Sequence, residues 1–353
     1  MHCDYIIVGQ GICGTLLSRK LLQAGKSLLI IDNGSPTTAS RCAGGILNPI
    51  TGMRMVRSWL AEELIPTAVS EYIAAGQELG GHYITPMPIT EFLHSREHQE
   101  LYATKLNTES EYIQTVADGS LWQKFFNYSY GVGSITGSYH LKVAPLLADW
   151  RLKMLSNDLL ITETLDIAEI KLDIEGIRYK DINAEKIIFC DGVTAAHNPW
   201  FHMLPWSKDK GEALIVDIPN LAPTELYKQG SLTIAPWQNG LFWVGAAHDW
   251  KYTSPHPSDA FKRQTIAQLN DWLIIPYKIV DHIAALRPAN IDRKPFVGLH
   301  PTHNNIGILN GMGGKGFTMA PYFATQLANN LLNGTPIMPH ADVSRYRRML
   351  NLG

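Results

Sequence analysis

Three glycines, Gly9, Gly11 and Gly14, stand in the spacing G-x-G-x-x-G between the apolar run Tyr5-Ile6-Ile7-Val8 and a helical stretch from Thr15 to Ala24. Residues of this type at this spacing form a turn that cradles phosphate. Gly9 permits the tight bend, Gly11 removes the side chain that would hold backbone away from a pyrophosphate, and Gly14 lets helix and strand approach. The free N–H groups and positive helix end, from about Ile12, then face the anion. A second strand, Ser27 to Ile31, ends in Asp32, 18 residues beyond Gly14 (32 − 14), near the spacing at which an acid receives ribose hydroxyls. An acid there disfavours a 2′-phosphate. Strand, turn, helix, strand and acid in this order call for a dinucleotide, FAD or NAD. A lone glycine-rich turn in some other parallel α/β sheet would have no need of the acid.

The elements around this turn are read from periodicity and punctuation. A Ser/Thr/Gly-rich loop covers Gly34 to Gly52, and a helical pattern runs from about Val56 to Leu79. Residues 81 to 139 read as strands and loops rich in Tyr and Trp, without βαβ rhythm. A helix from Ala144 to Ser156 follows, then short strands at Ile167 to Ile170, Gly176 to Tyr179 and Lys186 to Cys190. Alternating strands return from Glu212 to Ala247. The chain ends with a buried strand at Ile306 to Leu309, a turn at Gly311 to Gly316 and a helix from Thr318 to Leu332. With 353 residues, about two domains are expected. The pattern predicts an α/β chain: a discontinuous Rossmann-like nucleotide domain of residues 1–80, 140–205 and 283–353, with an inserted mixed or antiparallel β-sheet substrate domain of 81–139 and 206–282.

Composition narrows the partners. Hydrophobic residues make up 45% and charged residues 18%, an ordinary balance for an enzyme, and the net charge of −2 offers no basic footprint for nucleic acid or an anionic membrane surface. No apolar segment reaches the ~20 residues that span a bilayer. The four cysteines, Cys3, Cys13, Cys42 and Cys190, contain no CxxC pair, and the thirteen histidines contain no HExxH, so no metal is expected. The chain begins on a core strand instead of a leader peptide, and a reducing cytoplasm is the expected home.

Two later segments separate FAD from NAD. The strand Ile187-Ile188-Phe189 runs into Cys190-Asp191-Gly192, a small-residue turn of the kind flavoproteins place beside the adenosine end of FAD. NAD enzymes have no regular need for it. Asn310-Gly311-Met312-Gly313-Gly314-Lys315-Gly316-Phe317-Thr318 is a second glycine-rich turn opening a helix. A helix N-terminus there favours the negative charge that gathers at flavin N1 and C2=O on reduction.

Taken with Ala39-Ser40-Arg41-Cys42-Ala43-Gly44-Gly45, Lys142-Val143-Ala144-Pro145, and Arg287-Pro288 with Asp292 and Pro295 to Gly298, these segments occur in an order that resembles the D-amino-acid oxidase-like family of FAD-dependent amine oxidoreductases. The resemblance covers nearly the whole chain. It implies FAD contacts at Gly9, Gly11, Ile12, Gly14, Asp32 and Asn33, and along the pyrophosphate and flavin ring at Ser40, Arg41, Cys42, Ala43, Gly44 and Gly45. It further implies that Leu165 meets adenine through its backbone, that Cys190, Asp191, Gly192 and Gly211 touch the cofactor, and that Gly313, Gly314, Lys315, Gly316, Phe317 and Thr318 line the pyrimidine side. Some members attach flavin through a late cysteine; none follows Cys190, so noncovalent FAD is expected. Phe242 falls where such members carry an oxygen-activating lysine, which leaves oxygen, a quinone or a carrier protein open as electron acceptor.

The same resemblance puts Arg287 at the substrate carboxylate, and a guanidinium fork suits a carboxylate on chemical grounds too. The implied substrate is a small amino acid or secondary amine, such as glycine, sarcosine or a D-amino acid. Its α-hydrogen would leave as hydride to flavin N5 and the imine would hydrolyse, with no protein acid or base strictly required. The competing structural reading of Arg287 is an ion pair with an acid such as Asp292. Lys315 is expected either beside the reduced ring or in solvent. Trp243, Trp250, Tyr252 and Tyr130 read as pocket wall or as core, Cys42 as a small filler, and His248 and Asp249 receive no role. Two other functional readings stand beside this one: a tRNA-modifying FAD oxidoreductase acting on a glycine-like substituent, and a flavin-binding subunit of a multi-subunit dehydrogenase. An NAD(P) enzyme with a single Rossmann domain is opposed by the second glycine turn.

Overall fold

The computed structural model describes residues 1–172 and 176–351. Strand His2–Val8 is the axis of the nucleotide-binding sheet, parallel to Leu28–Ile31 on one side and to Ile182–Phe189 on the other. Leu160–Ile161 extends the sheet beyond Leu28–Ile31, while Ile306–Asn310 joins Ile182–Phe189 in parallel. Where both faces are covered these strands read as apolar runs, as in Tyr5–Val8, Leu28–Ile31 and Ile187–Phe189. Tyr5, Ile7, Leu28, Ile30, Ile188 and Leu309 pack under the helices Ile12–Gln23, Ala61–Leu79, Val143–Ser156 and Gly316–Asn333. Their neighbours Ile6, Val8, Leu29, Ile31, Ile187 and Ile308 face the other way, against Tyr179, Phe201, Phe296 and Val343. The helices are cross-tied by the buried Arg19, bonded to Glu71 at 3.0 Å and Glu78 at 2.7 Å, and by the Tyr72 hydroxyl donating to Phe317 O at 2.8 Å.

The second sheet runs Lys278–Arg287, Asp209–Asp217, Phe242–Gly245, Leu232–Pro236, Leu226–Gln229, Ile89–Phe92, Val132–Ile135, Ile113–Thr115. All neighbours are antiparallel except Leu226–Gln229 with Ile89–Phe92, the parallel pairing that joins the two inserted stretches into one sheet. Strand Lys278–Arg287 belongs to this sheet for its whole length and so runs past residue 283. Period-2 alternation decides what each face does. Phe242 and Val244 turn into a core with Phe92, Phe126, Leu269 and Trp272, while Trp243 turns to the opposite face. Phe242 therefore does not stand over the cofactor side.

Several element boundaries differ from expectation for local reasons. The helix expected from Val56 begins at Ala61, because Leu60 has φ of 50° and Val56–Arg57 instead pairs with Ile50–Thr51. A helix at Arg96–Thr108, capped by Ser95, lies within the stretch read as strands and loops; only His98 and Tyr102 are buried on it, too few to give a visible apolar stripe. Ile167–Glu169 is a single 3₁₀ turn, and the strand starts at Ile170. Among the described residues, no helix is long and apolar enough to cross a membrane and no cluster of His, Cys, Asp and Glu could hold a metal ion.

Candidate active site

The backbone turns singled out in the sequence converge on one cleft of about 930 Å³. At its floor, Gly9 has φ of 92°. A Cβ on Gly14 would fall 1.9 Å from Gly9 O, so only glycine lets the first helix sit this close to its strand. Helix Ile12–Gln23 opens at Gly11 without a side-chain capping bond, leaving its N-terminal end to the cleft. The Ile12 N–H donates to Ser40 Oγ at 3.1 Å, which ties the short helix Ala39–Cys42 to the same place.

Toward one end of the cleft, Asp32 accepts from the Gln10 N–H and the Gly34 N–H at 2.8 Å each, and from Arg151 Nη1 at 2.7 Å. Three of about four carboxylate acceptor positions are thereby filled, which leaves room for a hydroxyl donor. Asn33 Nδ2 donates to Thr164 Oγ1 at 3.0 Å and draws Glu163, Thr164 and Leu165 into the wall. Next along, Cys190 to Gly192 lie against Gly9, whose added Cβ would meet Cys190 O at 2.7 Å. Asn310 Nδ2 joins this turn to the C-terminal one, donating to Gly192 O at 2.9 Å and to Asp191 at 3.3 Å. Burial pushes the Asp191 carboxyl up to about 7.

At the other end, Gly44 lies under the Trp243 ring, where a Cβ would come 2.7 Å from Cε3, and Trp243 Nε1 donates to Cys42 O at 3.0 Å. Ala43, Gly45, Gly313, Gly314, Gly316 and Phe317 complete the wall. The N–H groups of Gly313 and Lys315 are committed to Pro288 O and Met312 O, whereas the helix beginning at Gly316 has no side-chain cap. Burial, helped by Asp281, holds the Cys42 thiol up at about 11, so it stays protonated and unreactive at neutral pH.

Most of the residues singled out above line this cleft; Gly14, Arg41, Lys315 and Thr318 do not. Gly14 and Thr318 are buried packing positions. Arg41 lies behind the wall, donating to Gln10 Oε1 and Ser35 O at 3.1 Å each. Lys315 does not go into solvent: its Nζ donates to Ser58 Oγ at 2.6 Å, and burial pulls the ammonium down to about 8. The unfolded chain keeps that proton up to 10.5 while the folded chain releases it near 8, so unfolding takes up a proton between these values and stability rises with pH across that window. Lys315→Met is expected to raise stability below the window by on the order of 2 kcal/mol, with the gain fading as pH rises through it, as read by denaturant melts.

Arg287 stands directly opposite Asp209 in the sheet register. Its Nη1 donates to Asp209 Oδ2 at 2.7 Å and to Ala247 O at 3.0 Å, and lies 3.2 Å from His248 Nδ1. The ion-pair partner is thus Asp209 and not Asp292, which instead receives Tyr346 Oη at 2.8 Å and Arg345 Nη2 at 3.3 Å. A Cβ on Gly211 would come 2.2 Å from Arg287 Nη2; this glycine makes the seat for the guanidinium. Arg287 Cδ is also 3.9 Å from the Cβ position of Gly314, which sets the arginine beside the second glycine turn. Asp209 is 3% exposed, and burial opposes its ionisation, but His248 and Arg287 together outweigh that and hold its carboxyl below the ordinary value.

The sequence reading assigned nothing to Asp209 or His248. Trp243 lines the cleft, whereas Trp250 and Tyr130 are exposed. Glycines at the close approaches, two helix N-termini without side-chain caps and an acid with acceptor capacity to spare fit a dinucleotide.

Comparison with known folds agrees. A glycine oxidase from Geobacillus kaustophilus superposes with a TM-score of 0.79 at 17% identity, over 96% of this chain and 98% of that one. An iminodiacetate oxidase from Chelativorans sp. BNC1 gives 0.78 at 18% identity, over 94% and 96%. The L-alpha-glycerophosphate oxidase from Mycoplasma pneumoniae, with FAD bound, gives 0.67 at 15% identity, over 94% and 95%. At such identities these likenesses establish the fold. The model of the DAO family, described as FAD dependent oxidoreductase, matches residues 4–330, and the chain therefore belongs to the DAO family of FAD-dependent oxidoreductases.

Proposed function

We infer that this enzyme oxidises a small amino acid or secondary amine at the carbon between nitrogen and carboxylate. The observation that carries the reading is Arg287, a partly buried guanidinium in the cleft wall beside the Gly313 to Gly316 turn. FAD, when bound, would supply the oxidising power that accepts the α-hydrogen as hydride. The chain's own residues do the rest. Gly9 to Ile12, Ser40 and Asp32 hold the phosphate and ribose portions, and the end formed by Gly44, Gly45, Gly313 and Gly316 receives the ring. Arg287 Nη1 is occupied by Asp209, so Nη2 and Nε are the donors left for a carboxylate, in the parallel pair that a carboxylate accepts. Trp243 and Met312 supply apolar wall that excludes water from the reacting carbon. Orientation of this kind accounts for most of the rate when the chemistry resides in the cofactor.

The absence of a cysteine after Cys190 supports noncovalent binding, so denaturing the yellow protein in acid should release all flavin to the supernatant. The function itself is tested by mixing the FAD-loaded enzyme anaerobically with glycine, sarcosine, proline and D-amino acids. Bleaching of the flavin absorbance by one or more of them is expected, and no bleaching across the panel would refute the reading.

A further inference from the structure

Beyond the carboxylate anchor, the cleft wall holds an imidazole backed by a buried acid. His248 Nδ1 lies 2.6 Å from Asp209 Oδ2, while the His248 ring belongs to the cleft lining and its side chain is 52% exposed. A carboxylate only accepts, so Nδ1 carries a hydrogen, and in the neutral ring Nε2 is the acceptor. Among the described residues no protein group bonds to Nε2. Trp250 stacks on the ring at 5.5 Å with an interplanar angle of 14° and fixes its plane. Among the described residues Asp209 Oδ1 is buried with no partner, and the acid is held by His248 and Arg287 through one shared oxygen.

That shared oxygen places two functions side by side. Nη1 of the guanidinium whose Nη2 and Nε would hold a carboxylate lies 3.2 Å from His248 Nδ1, so the two side chains are neighbours, and in an amino acid the nitrogen is separated from the carboxylate carbon by a single carbon. An amino acid at neutral pH carries an ammonium group, whose nitrogen has no lone pair to assist departure of the α-hydride. Its proton has to go before oxidation.

We propose that His248, oriented by Asp209, accepts the proton of the substrate ammonium before the α-carbon is oxidised; this rests on the amine-oxidising reading above. The N–H bond of the ammonium breaks, its electron pair stays on nitrogen, and an Nε2–H bond forms to give imidazolium. The freed pair then supports loss of the α-hydride to bound FAD, and the product is the iminium. Asp209 stabilises the imidazolium as it forms. The charges bearing on His248 are Asp209 and Arg287 in contact and Asp249 next in the chain. The cleft lining also carries Glu212, which is paired with Lys210 and His282, and Asp281 and His256.

His248→Gln should keep its FAD, since the ring is half exposed and Arg287 retains Asp209. Its kcat/KM for the amine is expected to fall about 10²-fold at neutral pH, the lower end of what a positioned base contributes. The limb of the pH profile that wild type owes to the imidazole should vanish, and the rate should recover as pH rises above the pKa of the substrate's own amine. Binding of betaine, whose quaternary nitrogen has no proton to lose, should be little changed, because it tests Arg287 alone. An H248Q profile and rate like those of wild type would overturn the proposal, and so would a loss of betaine binding in step with activity, which marks a merely structural histidine. An enzyme that no amine reduces would overturn the function first and the proposal with it.

Discussion

Arg287→Ala should lower kcat/KM for an amino acid by about 10²- to 10³-fold, since truncating one member of a hydrogen-bonded charge pair costs roughly 2–5 kcal/mol. Most of the loss should appear as a raised KM, measured by anaerobic reduction at several substrate concentrations. Arg287→Lys should recover little of it, because an ammonium keeps the charge but not the planar pair of donors. The alanine variant should also be less stable, since Asp209 is 3% exposed and would keep only His248 as a partner. Losing one side of a buried pair costs about 3 kcal/mol, visible as a lower melting temperature. Unchanged kinetics with lowered stability would mean that Arg287 is only a structural cation.

Gly14→Ala and Gly11→Ala should fail in different ways although they lie three residues apart. An alanine methyl at position 14 would sit 1.9 Å from Gly9 O, backbone against backbone, so the first helix must leave its strand. That overpacking should cost about 3 kcal/mol and most of the folded yield. At position 11 the backbone φ is −79°, which any residue adopts, and the nearest obstacle to a methyl is Ser40 Oγ at 3.1 Å. Gly11→Ala should therefore fold normally. Its methyl would occupy the approach to the pyrophosphate, and FAD affinity should drop about 100-fold, roughly 3 kcal/mol. Circular dichroism and flavin titration separate the two; a G11A protein that binds FAD like wild type would remove the pyrophosphate from this turn.

The contrast also marks what was legible in the sequence. The glycine-rich first turn announces itself because its requirements are local: Gly14 is demanded by Gly9 O five residues away, and Gly9 by the positive φ of the turn it makes. That Gly211 also seats the Arg287 guanidinium was not legible, because the arginine arrives from another strand. Asp209 and His248 were illegible for the same reason. They lie 39 residues apart in sequence and are brought together by the bridge between their neighbours Lys210 and Asp249, which no periodicity reveals. Phe242 was misplaced by a single step of strand alternation, which moves a side chain to the opposite face. The helix Arg96–Thr108 was hidden by its polarity, although its Ser95 cap was in plain view.

An arginine balanced in advance by a buried carboxylate has a further consequence. It makes a poor trap for stray anions, because chloride or sulfate arriving at the cleft meets a pair whose net charge is close to zero. What the guanidinium offers instead is a shape, two parallel donors that need two oxygens side by side and that a spherical anion such as chloride cannot match. Selection here works by outline more than by sign, and inhibition by simple salts should be correspondingly weak.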